Sequence, residues 1–105
     1  MKITLENSLT RFSEKFKISK EFTKKCTEKI PGAYSRVSFN YGPHAIYVDH
    51  GEGQYIHTID GHRLLDLNNN FTVNVLGHNH PKIADALSEA IPKGFSFGNP
   101  ESTLP

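Results

Sequence analysis

The stretch AIYVDHGEGQYIHTIDGHRLLDL, residues 45–67, decides the fold. It holds three apolar runs parted by two turn signals. AIYVD predicts a first strand and HGEG a turn. QYIHTI, rich in β-branched and aromatic residues, predicts a second strand, and HRLLDL a third. Asp60-Gly61 carries the signature of a type I′ hairpin, a turn that needs positive φ at both central residues. The outcome is a three-stranded antiparallel meander. Alternation puts Tyr55, His57 and Ile59 on one face and Gln54, Ile56 and Thr58 on the other. Neither face is cleanly polar, so the sheet is expected to be covered on both sides, in part by material beyond these residues.

Working outward, SKEFTKKCTEKI (residues 19–30) predicts a helix. Ser19 is its candidate N-cap, Phe22, Cys26 and Ile30 form one stripe, and Pro31-Gly32 ends it. The residues before Ser19 are expected to be mobile or weakly helical. AYSRVSFNYGP (residues 33–43) is a loop whose Tyr34, Arg36, Phe39 and Tyr41 point to packing in a pocket or interface. On the other side, residues 68–80 read as a long polar loop, followed by a helix over PKIADALSEAI (residues 81–91). Pro81 suits the first turn of that helix, and Ile83, Ala86, Leu87, Ala90 and Ile91 share a face. The class is α+β: N-terminal helix, meander, following helix.

Composition narrows the function classes. A chain of 105 residues is enough for one small domain. A net charge of +1 gives no electrostatic footprint for nucleic acid. No apolar run is long enough to cross a bilayer, so no membrane partner is expected. The opening residues lack the continuous apolar core of a secretory signal. Cys26 is the only cysteine, which excludes an internal disulfide and predicts a reducing, cytoplasmic setting.

Six histidines invite a zinc hypothesis, but their spacings match no zinc motif, and no metal is expected. In LGHNHPKI (residues 76–83), the HNH segment instead offers side-chain acceptors beside a helix N-terminus. Gly51 and Gly53 sit between two strands rather than between strand and helix, so they are turn residues and not a dinucleotide loop. Asp60 is accounted for by its turn, and Asp66 by a loop hydrogen bond. Ser35, Ser96 and Cys26 have no base beside them in the sequence. Arg36 could grip a carboxylate, with an ordinary surface arginine as the competing reading. Residue chemistry alone gives no autonomous catalytic set. A non-catalytic interaction module, binding through the aromatic loop and a sheet edge, is the alternative to an enzyme segment.

The order of motifs adds a resemblance. IPGAYSR, GEGQYIHTIDGHRLLDL, LGHNHPKIADAL and GFSFGNP together resemble the N-terminal region of class III pyridoxal-phosphate-dependent aminotransferases, nearest the glutamate-1-semialdehyde aminomutase branch. That family shows a Pro-Gly-Gly loop, a Gly-x-Gly meander with Asp-Gly and a further Asp, a Gly-His-x-His-Pro helix start and a Ser-Phe-Gly-x-Pro segment. The resemblance covers residues 30 to about 100. It implies an N-terminal fragment of a fold-type I transferase that uses pyridoxal 5'-phosphate. Residues 1–30 would form a leading helical segment. Residues 31–105 would form the N-terminal part of the small domain and the lead-in to the large one. The Schiff-base lysine, the partner of the pyridine nitrogen and most of the phosphate cradle would lie downstream, so this chain alone should not transaminate. A homodimer and a small-molecule amino-group donor or acceptor are implied as partners. The slot of a carboxylate-gripping arginine falls on Phe39, while Arg36, three residues earlier, is similar to a Ser-Arg variant of that loop. Phe71 stands where the aminomutase branch has a substrate-side Trp. Arg36 and Phe71 are thus the substrate-binding candidates. After the Ser-Phe-Gly-x segment the family reads Pro-Thr-Glu, and this chain has Pro100-Glu101-Ser102.

Overall fold

Thr4 starts the first helix. In the computed structural model, which describes residues 3–94, its hydroxyl accepts the Asn7 N–H at 3.2 Å, and α1 runs Leu5–Lys15. The segment expected to be mobile or weakly helical is therefore a capped helix. Leu5, Leu9, Phe12 and Phe16 recur along it at helical spacing, and the Phe12 and Phe16 rings meet at 4.9 Å. Phe16 leaves helical geometry (φ −111°, ψ 51°), and α2 follows over Lys17–Thr27. Phe16 is one of three buried apolar residues among those described, with Ala33 and Ala45. Its ring meets His62 edge-on at 5.4 Å, while His62 Nε2 donates to the Lys15 carbonyl at 2.9 Å.

The start of α2 corrects the sequence reading. Ser19 is not the N-cap; the helix begins two residues earlier and Ser19 is fully buried inside it. A helix start leaves N–H groups without partners in the helix. Here Asp60 serves them from the second hairpin: Oδ1 accepts the Ile18 N–H at 2.6 Å and the Ser19 N–H at 3.2 Å, and Oδ2 accepts the Ser19 hydroxyl. Ser19 Oγ in turn accepts the Tyr47 N–H at 3.1 Å. Ile30, assigned to the helical stripe, lies beyond the helix end at Thr27.

The meander forms with its strands shifted. β1 is Val48–Glu52, β2 Tyr55–Thr58 and β3 Arg63–Leu65, antiparallel in the order β1-β2-β3. β1 starts three residues later than expected because side chains claim the preceding amides. Tyr34 Oη accepts the Ala45 N–H at 3.2 Å and Tyr41 Oη the Ile46 N–H at 2.9 Å. It also ends later, at Glu52, so Gly51 is a strand residue and the first turn is Gly53-Gln54. Val48 pairs with Thr58 but His50 with His57, which leaves Asp49 as the extra residue of a β-bulge. The second turn is not type I′: Gly61 has φ +80° and Asp60 does not share the positive φ. The Gly61 N–H bonds Thr58 O and the Thr58 N–H bonds His62 O, both at 2.9 Å. That is a three-residue loop ending in a left-handed glycine. The expected packing of the 33–43 loop is only partial within the described residues: Tyr34 is half-buried, while Arg36, Phe39 and Tyr41 are exposed, and Val37–Phe39 forms a single 3-10 turn.

The helix expected over residues 81–91 is α3, Pro81–Ala90, with Pro81 in its first turn and a 3-10 turn over Ile91–Lys93. Its apolar face stays open: Ile83, Leu87 and Ile91 are all exposed, as are Val48 and Leu65 on the sheet. The expected cover on both sheet faces is therefore incomplete within the described residues. The signature segment GFSFGNP lies almost wholly outside them, from Phe95 onward.

Burial pushes the Asp60 carboxyl up, but the donors on Ser19 and Ile18 outweigh it and hold it below the ordinary carboxylate value. The folded value is the lower one. The stabilisation is therefore complete above the ordinary carboxylate range near pH 4 and is lost as pH falls through the folded value. Asp60→Ala is expected to cost about 2–3 kcal/mol near neutral pH and to flatten stability between about pH 5 and 3, read from urea midpoints. A cost under about 0.5 kcal/mol would show that α2 needs no cap from the hairpin.

Candidate functional site

Asp66 ends the meander, and its N–H still pairs with the Gln54 carbonyl at 2.9 Å. The expected loop hydrogen bond is there twice: Oδ1 accepts the N–H groups of Asn68 (3.0 Å) and Asn69 (2.9 Å). The other oxygen makes a contact the sequence did not suggest. Oδ2 lies 2.7 Å from His78 Nε2, with both side chains largely buried. A carboxylate only accepts, so Nε2 carries the proton and Nδ1 is left to accept from the Asn74 amide at 3.2 Å. The His78 hydrogen bond, joined by the Asn69 and Asn68 amides, holds the Asp66 carboxyl below its usual value.

Glycines make this possible. The His78 N–H donates to Gly53 O at 2.7 Å and the Gly53 N–H to His78 O at 2.9 Å, which adds a bridge to the hairpin. A Cβ on Gly51 would sit 2.6 Å from His78 Cγ, and one on Gly77 would sit 2.7 Å from Gly53 O. Gly51 is therefore a close-approach residue and not a turn residue. The reading of HNH as helix-capping side chains is also corrected. His80 precedes α3 but makes no side-chain cap bond, and His78 turns the other way, toward Asp66.

The polar loop after Asp66 contains a backbone feature that composition did not reveal. Asn69, Asn70, Phe71 and Thr72 all have positive φ, at 50°, 48°, 56° and 68°. Asparagine tolerates this region. Phe71 and Thr72 do not, and each costs about 1–2 kcal/mol. The turn's own hydrogen bonds are long: 3.2 Å from Thr72 N–H to Asn68 O, 3.4 Å from Val73 N–H to Asn70 O, and 3.3 Å from Asn74 N–H to Asn69 O. Phe71 stands on it, 56% exposed.

Arg36 lies elsewhere. It is exposed, directly before the Val37–Phe39 turn, and its side chain makes no hydrogen bond or ion pair among the described residues. Phe39, in the slot implied for a carboxylate-gripping arginine, lines an apolar groove of about 540 Å³ with Phe22, Ile30, Tyr34, Tyr41 and Tyr47. Burial raises the Tyr47 phenol above its ordinary value. A second hollow of about 500 Å³ is lined by Gln54, Asp66, Asn69, Asn74 and His78. Neither Arg36 nor Phe71 lines either one, and neither hollow has a lysine or arginine in its wall. Among the described residues no three His, Cys, Asp or Glu side chains converge on a metal-sized point. Sequence reasoning missed the Asp66–His78 pair and the Asp60 cap. For the first, the only signal was the pairing of a Gly-x-Gly hairpin with a Gly-His step downstream.

Comparison with known proteins gives a consistent result. The family model for class-III aminotransferases matches residues 37–102. The chain is 35% identical over 94 residues to glutamate-1-semialdehyde 2,1-aminomutase of Methanopyrus kandleri, covering 90% of this chain and 21% of that protein. With the enzyme of the same name from Aeropyrum pernix it shares 39% identity over 74 residues, 70% of this chain and 17% of that one. Among solved structures it superposes on a β-phenylalanine aminotransferase from Variovorax paradoxus with a TM-score of 0.83 at 31% identity, covering 92% of this chain and 23% of that one. A glutamate-1-semialdehyde-aminomutase from Pseudomonas aeruginosa PAO1 gives 0.82 at 20% identity over 91% of this chain and 22% of that one, a likeness of fold alone. The chain thus spans about a fifth of the length of the curated relatives it matches.

The glycine contact yields a test. Gly51→Ala should cost about 1–3 kcal/mol by forcing the His78 side chain aside, and far less in a His78→Gly background, which removes both the Cγ at 2.6 Å and the Cβ at 2.7 Å from the added methyl. A double-mutant cycle by urea denaturation measures the difference. Equal costs in both backgrounds would mean that Gly51 is not there for His78.

Proposed function

Because the chain belongs to the class-III aminotransferase family, we propose that it is the N-terminal segment of a pyridoxal-phosphate-dependent aminotransferase or aminomutase acting on an amino acid or amino-aldehyde. The observation that carries this is the match over residues 37–102 together with the superposition on the Variovorax enzyme. In this reading residues 1–30 lead into the small domain, and residues 31–105 supply its N-terminal part and the approach to the large domain. The whole enzyme works as a homodimer in the cytoplasm. Nothing in the reading assigns a catalytic residue to this chain.

Bound pyridoxal phosphate supplies an electron sink for amino-group chemistry. Holding it takes a lysine and cationic or amide donors for the phosphate, and the two hollows described above provide no lysine or arginine. Neither of these two hollows fits the cofactor. What this chain would contribute is substrate contact, through the exposed guanidinium of Arg36 toward a carboxylate and the Phe71 ring toward the body of the substrate.

Two measurements test the reading. Pyridoxal phosphate added to this chain, then borohydride, should leave no stoichiometric adduct on any single lysine; such an adduct would contradict the downstream placement of the reactive lysine. In the whole enzyme, Phe71→Ala should raise KM for the amino substrate by roughly tenfold, an effect of about 1.4 kcal/mol, with cofactor content unchanged. Failure of the whole enzyme to transfer or shift an amino group from any amino acid or amino-aldehyde would overturn the proposal.

A further inference from the structure

We infer that Asp66 and His78 are positioning residues that together clamp the Asn69–Thr72 turn in its left-handed form and so fix where Phe71 is displayed. This rests on the reading of Phe71 as a substrate contact.

The clamp grips both ends of the turn. At the near end, Asp66 Oδ1 accepts from Asn68 and Asn69 at 3.0 and 2.9 Å, shorter than the 3.2–3.4 Å bonds that Thr72, Val73 and Asn74 make to Asn68, Asn70 and Asn69. At the far end, the Asn74 amide reaches His78 Nδ1. The two ends are joined through the 2.7 Å bond between Asp66 Oδ2 and His78 Nε2. That pair has its own anchor, since the His78 backbone is bridged to Gly53 on the hairpin and its ring lies over Gly51. The chain from rigid sheet to strained turn is therefore continuous and polar. Local preference runs against the result: Phe71 and Thr72, a bulky and a β-branched residue, disfavour positive φ. Remove the clamp and these two residues should fall back to ordinary negative φ, swinging the Phe71 ring to another position.

The variants separate clamp from general structure. Glutamine at 78 can place an amide N–H where Nε2 stood, whereas alanine cannot. The readout is the intraresidue Hα–HN nuclear Overhauser effect of Phe71 and Thr72 in the full chain, which is strong only at positive φ. Amide exchange at Thr58 reports whether the sheet is intact. Asp66→Ala and His78→Ala should lose the strong signals while Thr58 stays protected, and His78→Gln, which regains the Asp66 bond but not the Asn74 one, should restore them in part. Should Asp66→Ala fail to fold, the contrast between His78→Ala and His78→Gln carries the test. Strong signals that persist in both alanine variants, or a His78→Gln chain indistinguishable from His78→Ala, would overturn the clamp. The Phe71→Ala kinetics fail independently: an unchanged KM there would count against the substrate contact, while the spectra judge the clamp itself.

Discussion

A single carboxylate, that of Asp60, ties the helical arm of this protein to its sheet. It answers the unpaired amides at the start of α2 and, through the buried hydroxyl of Ser19, reaches the backbone of Tyr47 just ahead of β1. Few apolar side chains are buried among the described residues, so packing alone supplies little to hold these parts in register. Directional polar bonds take up the task. Their strength comes from a charged acceptor with several donors, which is worth about twice a neutral bond. Asp66 repeats the arrangement one strand later, with amides on one oxygen and an imidazole on the other.

Much of the fold is legible in the sequence, and the failures share a cause, except at α1, whose cap at Thr4 is local. Two kinds of element with local evidence were read correctly: the three strands in order and the proline-opened helix α3. Errors arose where a partner distant in sequence decides the outcome. Ser19 has the chemistry of a cap, and only the hairpin's arrival shows that it is buried and that Asp60 does the capping. The phenols of Tyr34 and Tyr41 hold the amides of Ala45 and Ile46, so a run with good strand propensity starts late. Asp60-Gly61 favours a two-residue turn by composition, yet the Thr58–His62 pairing selects a three-residue one.

The candidate site was legible in part. Phe71 could be singled out by resemblance, but its left-handed backbone could not, because three asparagines and a threonine read simply as polar loop. Arg36 and Phe71 occupy different parts of the structure, and neither enters the hollow that Asp66 and His78 share. The exposed faces of α3 and the sheet fit a chain whose curated relatives are about four times as long.

The bulge at Asp49 behaves like a frameshift within the strand. Val48 and Gly51 are an odd number of residues apart, yet they face Thr58 and Ile56, which lie on the same side of β2. Were Asp49 paired instead of bulged, the strand downstream would be read in the opposite phase: His50 would face Ile56 and turn toward the side now left bare by Gly51, where the His78 ring lies. Leaving one residue out of the pairing thus puts a glycine, not an imidazole, beneath that ring, and stacks His50 on His57 on the other side at 4.3 Å. The constraint falls on the pairing and not on the ejected residue: a strand that lacked Asp49 altogether would keep the same downstream partners, whereas one that paired it would not.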